Sequence, residues 1–298
     1  DAPTVAAALL HDVIEDTPAT EEDIKREFGD EVLELVSGVT KLDKIVFKSQ
    51  EQEEAVRQAA ENRICIITGG AGTGETKNLK AVLSILGGAG ITCSLTAPTG
   101  RAAKRMQEAT GTAAGTLHRL LEYCYDEDAF NCYFRRNEEN PLEADAVIVD
   151  EVSMLDVFLF HNLLRALKEG ARLILVGDAD QLPSVGPGNV MRDIIESGVV
   201  PCVKLTHRFR NAGAIADAAY EILNGNVPEA YDDTFEFREC ADMDEVRELL
   251  CGQYEHYAKK GADVQLIAPI KRTELGTVAL NSAIRERVNP KKSAKQEI

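Results

Sequence analysis

Long apolar runs are missing from this sequence. Stretches such as VIVD and LILVG stop after four or five residues, whereas a bilayer-spanning helix needs about 20. No basic-then-apolar leader is visible, so nothing in the sequence suggests export. Cysteine is present but unorganised: seven residues, an odd number, scattered without a CxxC pair. That fits free thiols in a reducing cytoplasm better than a disulfide framework or a zinc site. Positive charge is also scarce. Thirty-three Lys and Arg face 50 Asp and Glu, a net charge of -17, which works against general adhesion to nucleic-acid phosphates. A local basic track on an acidic body stays open, because GRAAKRM (100–106) and FRR (134–136) concentrate what positive charge there is. Internal repeats and low-complexity segments are absent.

What is there is enough for real cores. Apolar residues make up 44% of 298, a length that suggests two compact units and an extra fragment. Residues 1–48 read as helices only. VAAALLHDVIED is apolar at helical spacing. Thr20 and Asp23 are spaced as a capping box, and Gly29 as a C-cap. From Ile64 onward short β-rich runs (ICIIT, ITCSLTA, AVIVD, RLILVG, CVKLT, DVQLIAP) alternate with helical stretches. That alternation predicts an α/β fold with parallel sheets covered by helices on both faces. A boundary between two sheets is expected near Val200, giving segments 1–48, 49–200 and 201–298.

The chemistry concentrates at three strand ends. ICIIT, GGAGTGET and KNLKAVLSIL read as strand, glycine loop and helix. Gly69, Gly70, Ala71, Gly72, Thr73 and Gly74 let backbone N–H groups close around phosphates, and the helix N-terminus adds positive potential. Thr76 stands where a hydroxyl ligates Mg²⁺. Taken alone, this loop is equally a tight βα connection. In AVIVDE a buried strand ends on Asp150 and Glu151: one carboxylate to hold Mg²⁺, the next to orient or deprotonate a water. In LILVGDADQLPSVGPG another strand delivers Asp178 and Gln181 to the same edge, with Gln181 placed to sense a terminal phosphate. The three together, in this order, point to an NTPase.

Residues 49–290, about four fifths of the chain, resemble the RecD-like branch of superfamily-one DNA helicases. SQEQEEAV looks like the adenine-reading motif, with Gln52 in the glutamine position. LTAPTGRAAKRM and TLHRLL look like strand-contacting motifs, which implies Pro98, Thr99, Arg101, Lys104 and His118 as single-stranded DNA contacts. LTHRFRNA looks like the motif whose arginine reaches the terminal phosphate, which implies Arg210. The resemblance implies a RecA-like P-loop NTPase domain, a second RecA-like domain, ATP and Mg²⁺ as cofactors, and motion along single-stranded DNA. His118 is equally a surface or core histidine, and YCYDEDAFNCYFRR is either a stacking hairpin or a hairpin with a packed aromatic face. Two later family motifs do not occur before Ile298, so the second domain is expected to be partial and strand separation impaired.

One residue departs from the phosphate-loop pattern. Where such loops carry lysine, this one carries Glu75. Two unit charges about 4 Å apart interact by roughly 4 kcal/mol at an effective dielectric near 20. Replacing attraction by repulsion thus costs several kcal/mol, against a total of about 8 kcal/mol for micromolar affinity. Lys77, two helical residues on, points about 200° away. Weak ATP binding and little hydrolysis are expected.

Residues 1–47 resemble the HD-type hydrolase domain of RelA/SpoT alarmone enzymes. The resemblance implies His11 and Asp12 as manganese ligands and Glu15 and Asp16 as catalytic helpers. The family's other His and Asp ligands find no counterpart, so a non-catalytic helical fragment is expected, with Val32, Leu35 and Val36 exposing an apolar face. Three functions follow: a RecD-like ATP-dependent helicase or translocase core, a metal-dependent alarmone hydrolase, and a catalytically dead nucleic-acid-binding module.

Overall fold

Helix formation begins where the sequence announces it. In helix α1 (Glu21–Phe28) the Thr20 hydroxyl accepts from the Asp23 N–H at 3.3 Å, and the Asp23 carboxylate accepts from the Thr20 N–H at 3.0 Å. This reciprocal pair satisfies two N-terminal donors that the helix itself leaves unmet. The helix stops at Gly29, whose φ of +87° a side chain would strain. The computed structural model describes residues 10, 13, 17, 19–30, 32, 33, 36, 49–70, 75–126, 131–206, 213–228 and 232–290. Ile24, Val32 and Val36 form a small buried cluster, with Leu10 and Leu33 packed on it. The expected exposure of Val32 and Val36 is therefore corrected. Two apolar stripes within reach of each other leave water together, which removes the cost of exposing either. Leu35 lies outside the described residues.

The alternating part follows in order. Helix α2 (Gln50–Glu61) is capped by Ser49 and leads into β1 (Ile64–Gly69). Then come α3 (Glu75–Gly88), β2 (Cys93–Ala97), α4 (Gly100–Thr110), β3 (Ala114–Thr116) and the short α5 (Leu117–Leu120). An antiparallel hairpin of β4 (Tyr123–Asp126) and β5 (Asn131–Phe134) precedes β6 (Ala146–Val149), a 3-10 turn (Val152–Met154) and α6 (Val157–Ala166). Strand β7 (Arg172–Gly177), α7 (Val190–Ser197), β8 (Cys202–Leu205) and α8 (Ala214–Leu223) complete this unit.

Six strands pair in the order β3-β2-β6-β7-β1-β8, every pair parallel. The expected α/β sheet is thus present. Strand residues alternate between two cores: Ile67, Ile148, Ile174 and Val176 on one face, Ile66, Val147, Val149, Leu173 and Leu175 on the other. Burial on both faces is why these strands read as unbroken apolar runs.

The expected boundary near Val200 is corrected. Strand β8 pairs with β1, from Ile66 opposite Cys202 to Gly69 opposite Leu205, and Val203 and Leu205 join the first core. The alternation in CVKL completes an existing sheet rather than starting a new one. The chain divides instead after Gly225. The second unit holds α9 (Met243–Lys259) and α10 (Thr277–Val288) around Cys251, Leu280 and Ile284. The DVQLIAP run, expected as a strand, forms no regular structure over 262–268. A strand needs a neighbour for its N–H and C=O groups, and among the described residues none pairs with it.

Candidate functional site

Parallel strands bring their C-terminal tips to one edge, and the sheet order β6-β7-β1 gathers the expected groups there. Strand β1 ends on Thr68 and Gly69; Gly70 follows, and α3 begins at Glu75, with Thr76 next. The strand and helix that flank the glycine loop are therefore in place. Ala71, Gly72, Thr73 and Gly74 lie outside the described residues. At the tip of β6 the Asp150 N–H donates to the Thr96 carbonyl at 2.9 Å, and the Asp150 carboxylate accepts from the Glu151 N–H at 2.9 Å. Glu151 adopts left-handed backbone, φ +56° and ψ +43°. A non-glycine residue held there costs energy that surrounding structure must offset. The turn that follows lies close to the end of β7: a Cβ on Gly177 would sit 2.9 Å from the Val152 backbone nitrogen, so only glycine lets the two pack this tightly. Beyond Gly177, Asp178 caps its own turn, accepting from the Asp180 N–H at 3.0 Å. The Ala179 N–H ties this turn to the Thr68 hydroxyl at 3.2 Å. Gln181 is exposed beside it.

Burial pushes the Asp150 carboxyl up to about 6; the Glu151 N–H opposes the rise, the Glu151 charge adds to it, and Arg105 lowers it. Arg105 reaches across from α4, its Nη1 3.8 Å from Glu151 Oε1. Three further polar groups are buried at this edge or beside it without a hydrogen-bond partner among the described residues: Asn78 Nδ2 in the first turn of α3, Thr96 Oγ1 near the end of β2, and Ser153 Oγ in the turn after Glu151. Buried polar groups of this kind normally find partners. Oxygen donors at a strand tip and unmatched hydroxyl and amide groups suit a hydrated divalent cation and a polar ligand. The same edge carries a glutamate where a phosphate calls for a cation.

The other expected residues are spread more unevenly. Gln52, implied as the adenine reader, is 2% exposed on the inner side of α2, so its amide faces protein. Its neighbour Glu51 instead binds the end of β8, accepting from the Thr206 N–H at 2.8 Å and from the Thr206 hydroxyl. Pro98 and Thr99 form the turn between β2 and α4, and the Thr99 hydroxyl caps α4 by accepting from the Ala102 N–H at 3.2 Å. Arg101 and Lys104 stand exposed on α4, Lys104 3.7 Å from Glu108. Arg210, His11, Asp12, Glu15 and Asp16 lie outside the described residues. Sequence reasoning missed Arg105 as a partner of the catalytic carboxylates. Its spacing of four from Arg101 placed it on the basic face, yet nothing in the string shows that this face overlooks Glu151.

The aromatic hairpin forms as expected. The His118 ring stands edge-on to Tyr123 with centroids 5.4 Å apart, and Tyr123 lies 5.1 Å from Phe134. Phe134 packs on the core below. Both expectations hold in part, because Tyr123, Tyr125 and Tyr133 remain 48%, 57% and 42% exposed. Arg136 is committed to the hairpin base: its Nε donates to Glu122 at 2.8 Å and its Nη1 to the Pro141 carbonyl at 3.1 Å. All seven cysteines are free thiols. Among the described residues no helix is long and apolar enough to cross a membrane, and no cluster of three or more His, Cys, Asp or Glu could hold a metal.

Known proteins resemble the chain in the same two segments. The family model described as an AAA domain matches residues 52–187, and one described as an HD domain matches residues 1–68. The ATP-dependent RecD2 DNA helicase of Deinococcus radiodurans is 36% identical over 244 residues, covering 81% of this chain and 33% of that protein. The RecBCD enzyme subunit RecD of Mycolicibacterium smegmatis is 37% identical over 196 residues, covering 57% of this chain and 35% of the relative. The chain thus spans about a third of the length of these relatives. A crystal structure of Bacteroides Pif1 bound to single-stranded DNA superposes with a TM-score of 0.46 at 23% identity, over 67% of this chain and 52% of that one.

Proposed function

Because residues 49–290 are RecD-like superfamily-one helicase sequence, we propose that this chain is the ATP- and single-stranded-DNA-binding core of a DNA translocase whose use of ATP is impaired by Glu75. The observation that carries this reading is the shared edge of β1, β6 and β7, where a glycine loop, the Asp150–Glu151 pair and the Asp178 turn meet. When bound, Mg²⁺ with ATP supplies a phosphoryl group whose transfer to water releases free energy. Thr76 and Asp150 are the donors for the metal. Glu151, next to Asp150 and fixed by its backbone, orients the attacking water and takes its proton. Gln181 reports on the terminal phosphate. On α4, Arg101 and Lys104 face solvent and meet the phosphodiester backbone, while the exposed hairpin tyrosines offer faces on which bases stack. Cytoplasmic location, specificity for single strands and the part played by Arg210 belong to this same proposal.

The test is a titration of a fluorescent ATP analogue with Mg²⁺ into the unmodified chain and its Glu75→Lys form. Reversing the sign of one charge beside the phosphates is worth several kcal/mol, so the lysine form is expected to bind at least about a hundredfold more tightly and to gain hydrolysis. Equal affinity and equal turnover in both forms would sink the proposal. The HD-domain match over residues 1–68 supports a helical segment related to metal-dependent hydrolases, which we read as non-catalytic. Manganese-dependent release of pyrophosphate from ppGpp by this chain would overturn that reading.

A further inference from the structure

The Arg105–Glu151 contact joins two elements that the proposed function keeps apart. Arg105 lies on α4, the helix that carries Arg101 and Lys104; Glu151 stands at the tip of β6 beside Asp150. We infer that Arg105 is a positioning residue shared between Glu151 and the DNA backbone: without DNA its guanidinium sits on Glu151, and a phosphodiester lying on α4 draws it away. The inference rests on the reading of α4 as a strand contact and of Glu151 as the water-orienting carboxylate.

The geometry assigns the moving part. The Glu151 side chain is 22% exposed and its backbone is held in a left-handed turn, whereas the Arg105 side chain is 71% exposed at the end of a flexible stem. Ala102, Ala103 and Met106 bury the other side of α4, so the helix stays seated while Arg105 swings. Arg101 and Arg105, four residues apart, share a face, and a phosphate bound by Arg101 lies within reach of its neighbour. The pair at 3.8 Å joins one nitrogen to one oxygen, a long contact near solvent of the kind that contributes little by itself. An arginine–phosphate pair with two parallel hydrogen bonds is the stronger partner. Once Arg105 leaves, Glu151 keeps its negative charge without a guanidinium beside it and is free to accept a proton from water. Coupling of this sort is reciprocal: whatever loosens Glu151's hold on Arg105 must strengthen DNA binding.

That reciprocity allows a test without ATP. Fluorescence anisotropy of a labelled oligothymidylate is measured across a salt series for the full chain, Glu151→Gln, Arg105→Ala and the double variant. Glutamine keeps the shape of glutamate and removes the charge that retains Arg105. Glu151→Gln is therefore expected to bind several-fold more tightly, and to steepen the slope of log K against log salt by about 0.7, one more phosphate contact on a single strand. In the Arg105→Ala background the same substitution is expected to change neither quantity. Arg105→Lys, which keeps the charge, is expected to retain the coupling. An equal effect of Glu151→Gln in both backgrounds, or no effect with Arg105 intact, overturns the inference while leaving DNA binding itself standing. Failure of the unmodified chain to bind the oligonucleotide at low salt overturns the DNA-binding reading and this inference with it.

Discussion

Asp150 serves two opposed demands. A metal needs its carboxylate charged, and burial favours it neutral, which is why its pKa rises to about 6. A raised folded-state value means that the folded chain holds the proton more tightly than the unfolded one. Between the ordinary value near 3.8 and about 6 the unfolded chain has released the proton and the folded chain has not. Stability is therefore lost as pH rises through that window, by about 2–3 kcal/mol at most. Asp150→Asn is expected to raise Tm at pH 7.5, with the gain fading towards pH 4, while Mg²⁺-dependent nucleotide binding is lost. Thermal unfolding at the two pH values checks this; a gain of equal size at pH 4 would mean that charge is not its origin. Asp150 and Glu151 were legible as a carboxylate pair after an apolar run. The tilt of Glu151 into left-handed backbone and its contact with Arg105 were not, since both depend on how β7 and α4 pack around the turn.

At the scale of elements, strand β6 sits between β2 and β7 with Ile148 fully buried. Ile148→Ala leaves a cavity in a sheet covered on both faces and is expected to cost roughly 3–4 kcal/mol, read as a fall in the urea midpoint. Gly177→Ala pushes a methyl group against the Val152 backbone and is expected to destabilise by about 1–3 kcal/mol. Because the strained turn at Glu151 moves with it, any hydrolysis gained by Glu75→Lys should fall in the combined variant. The hairpin offers a separate test. Tyr125 is the most exposed of its tyrosines, and Tyr125→Ala is expected to weaken oligothymidylate binding by about 1–2 kcal/mol without changing the unfolding midpoint. Caps and strand tips were readable because their signals are local: Thr20 with Asp23, Gly29, and an apolar run ending in Asp-Glu. The sheet to which CVKL belongs was not readable, because period-two alternation is satisfied equally by the edge of an old sheet and the start of a new one.

Across the whole molecule, a net charge of -17 and a basic face reduced to Arg101 and Lys104 limit how steeply DNA binding depends on salt. Two phosphate contacts on a single strand imply a slope near -1.4, and a salt titration giving a much steeper value would require a basic track elsewhere. The sequence by itself determined the α/β class, the order of the strands along the chain, and the chemical character of each strand tip, because apolar periodicity and side-chain type are properties of neighbouring residues. It also determined the sign of the charge at position 75. Only the tertiary structure decided that β8 closes the first sheet, that 262–268 stays irregular, that Gln52 faces inward, and that Arg105 rests on Glu151. Each of these turns on which surfaces meet across tens or hundreds of residues, and packing between distant segments leaves no local mark on the string that encodes it.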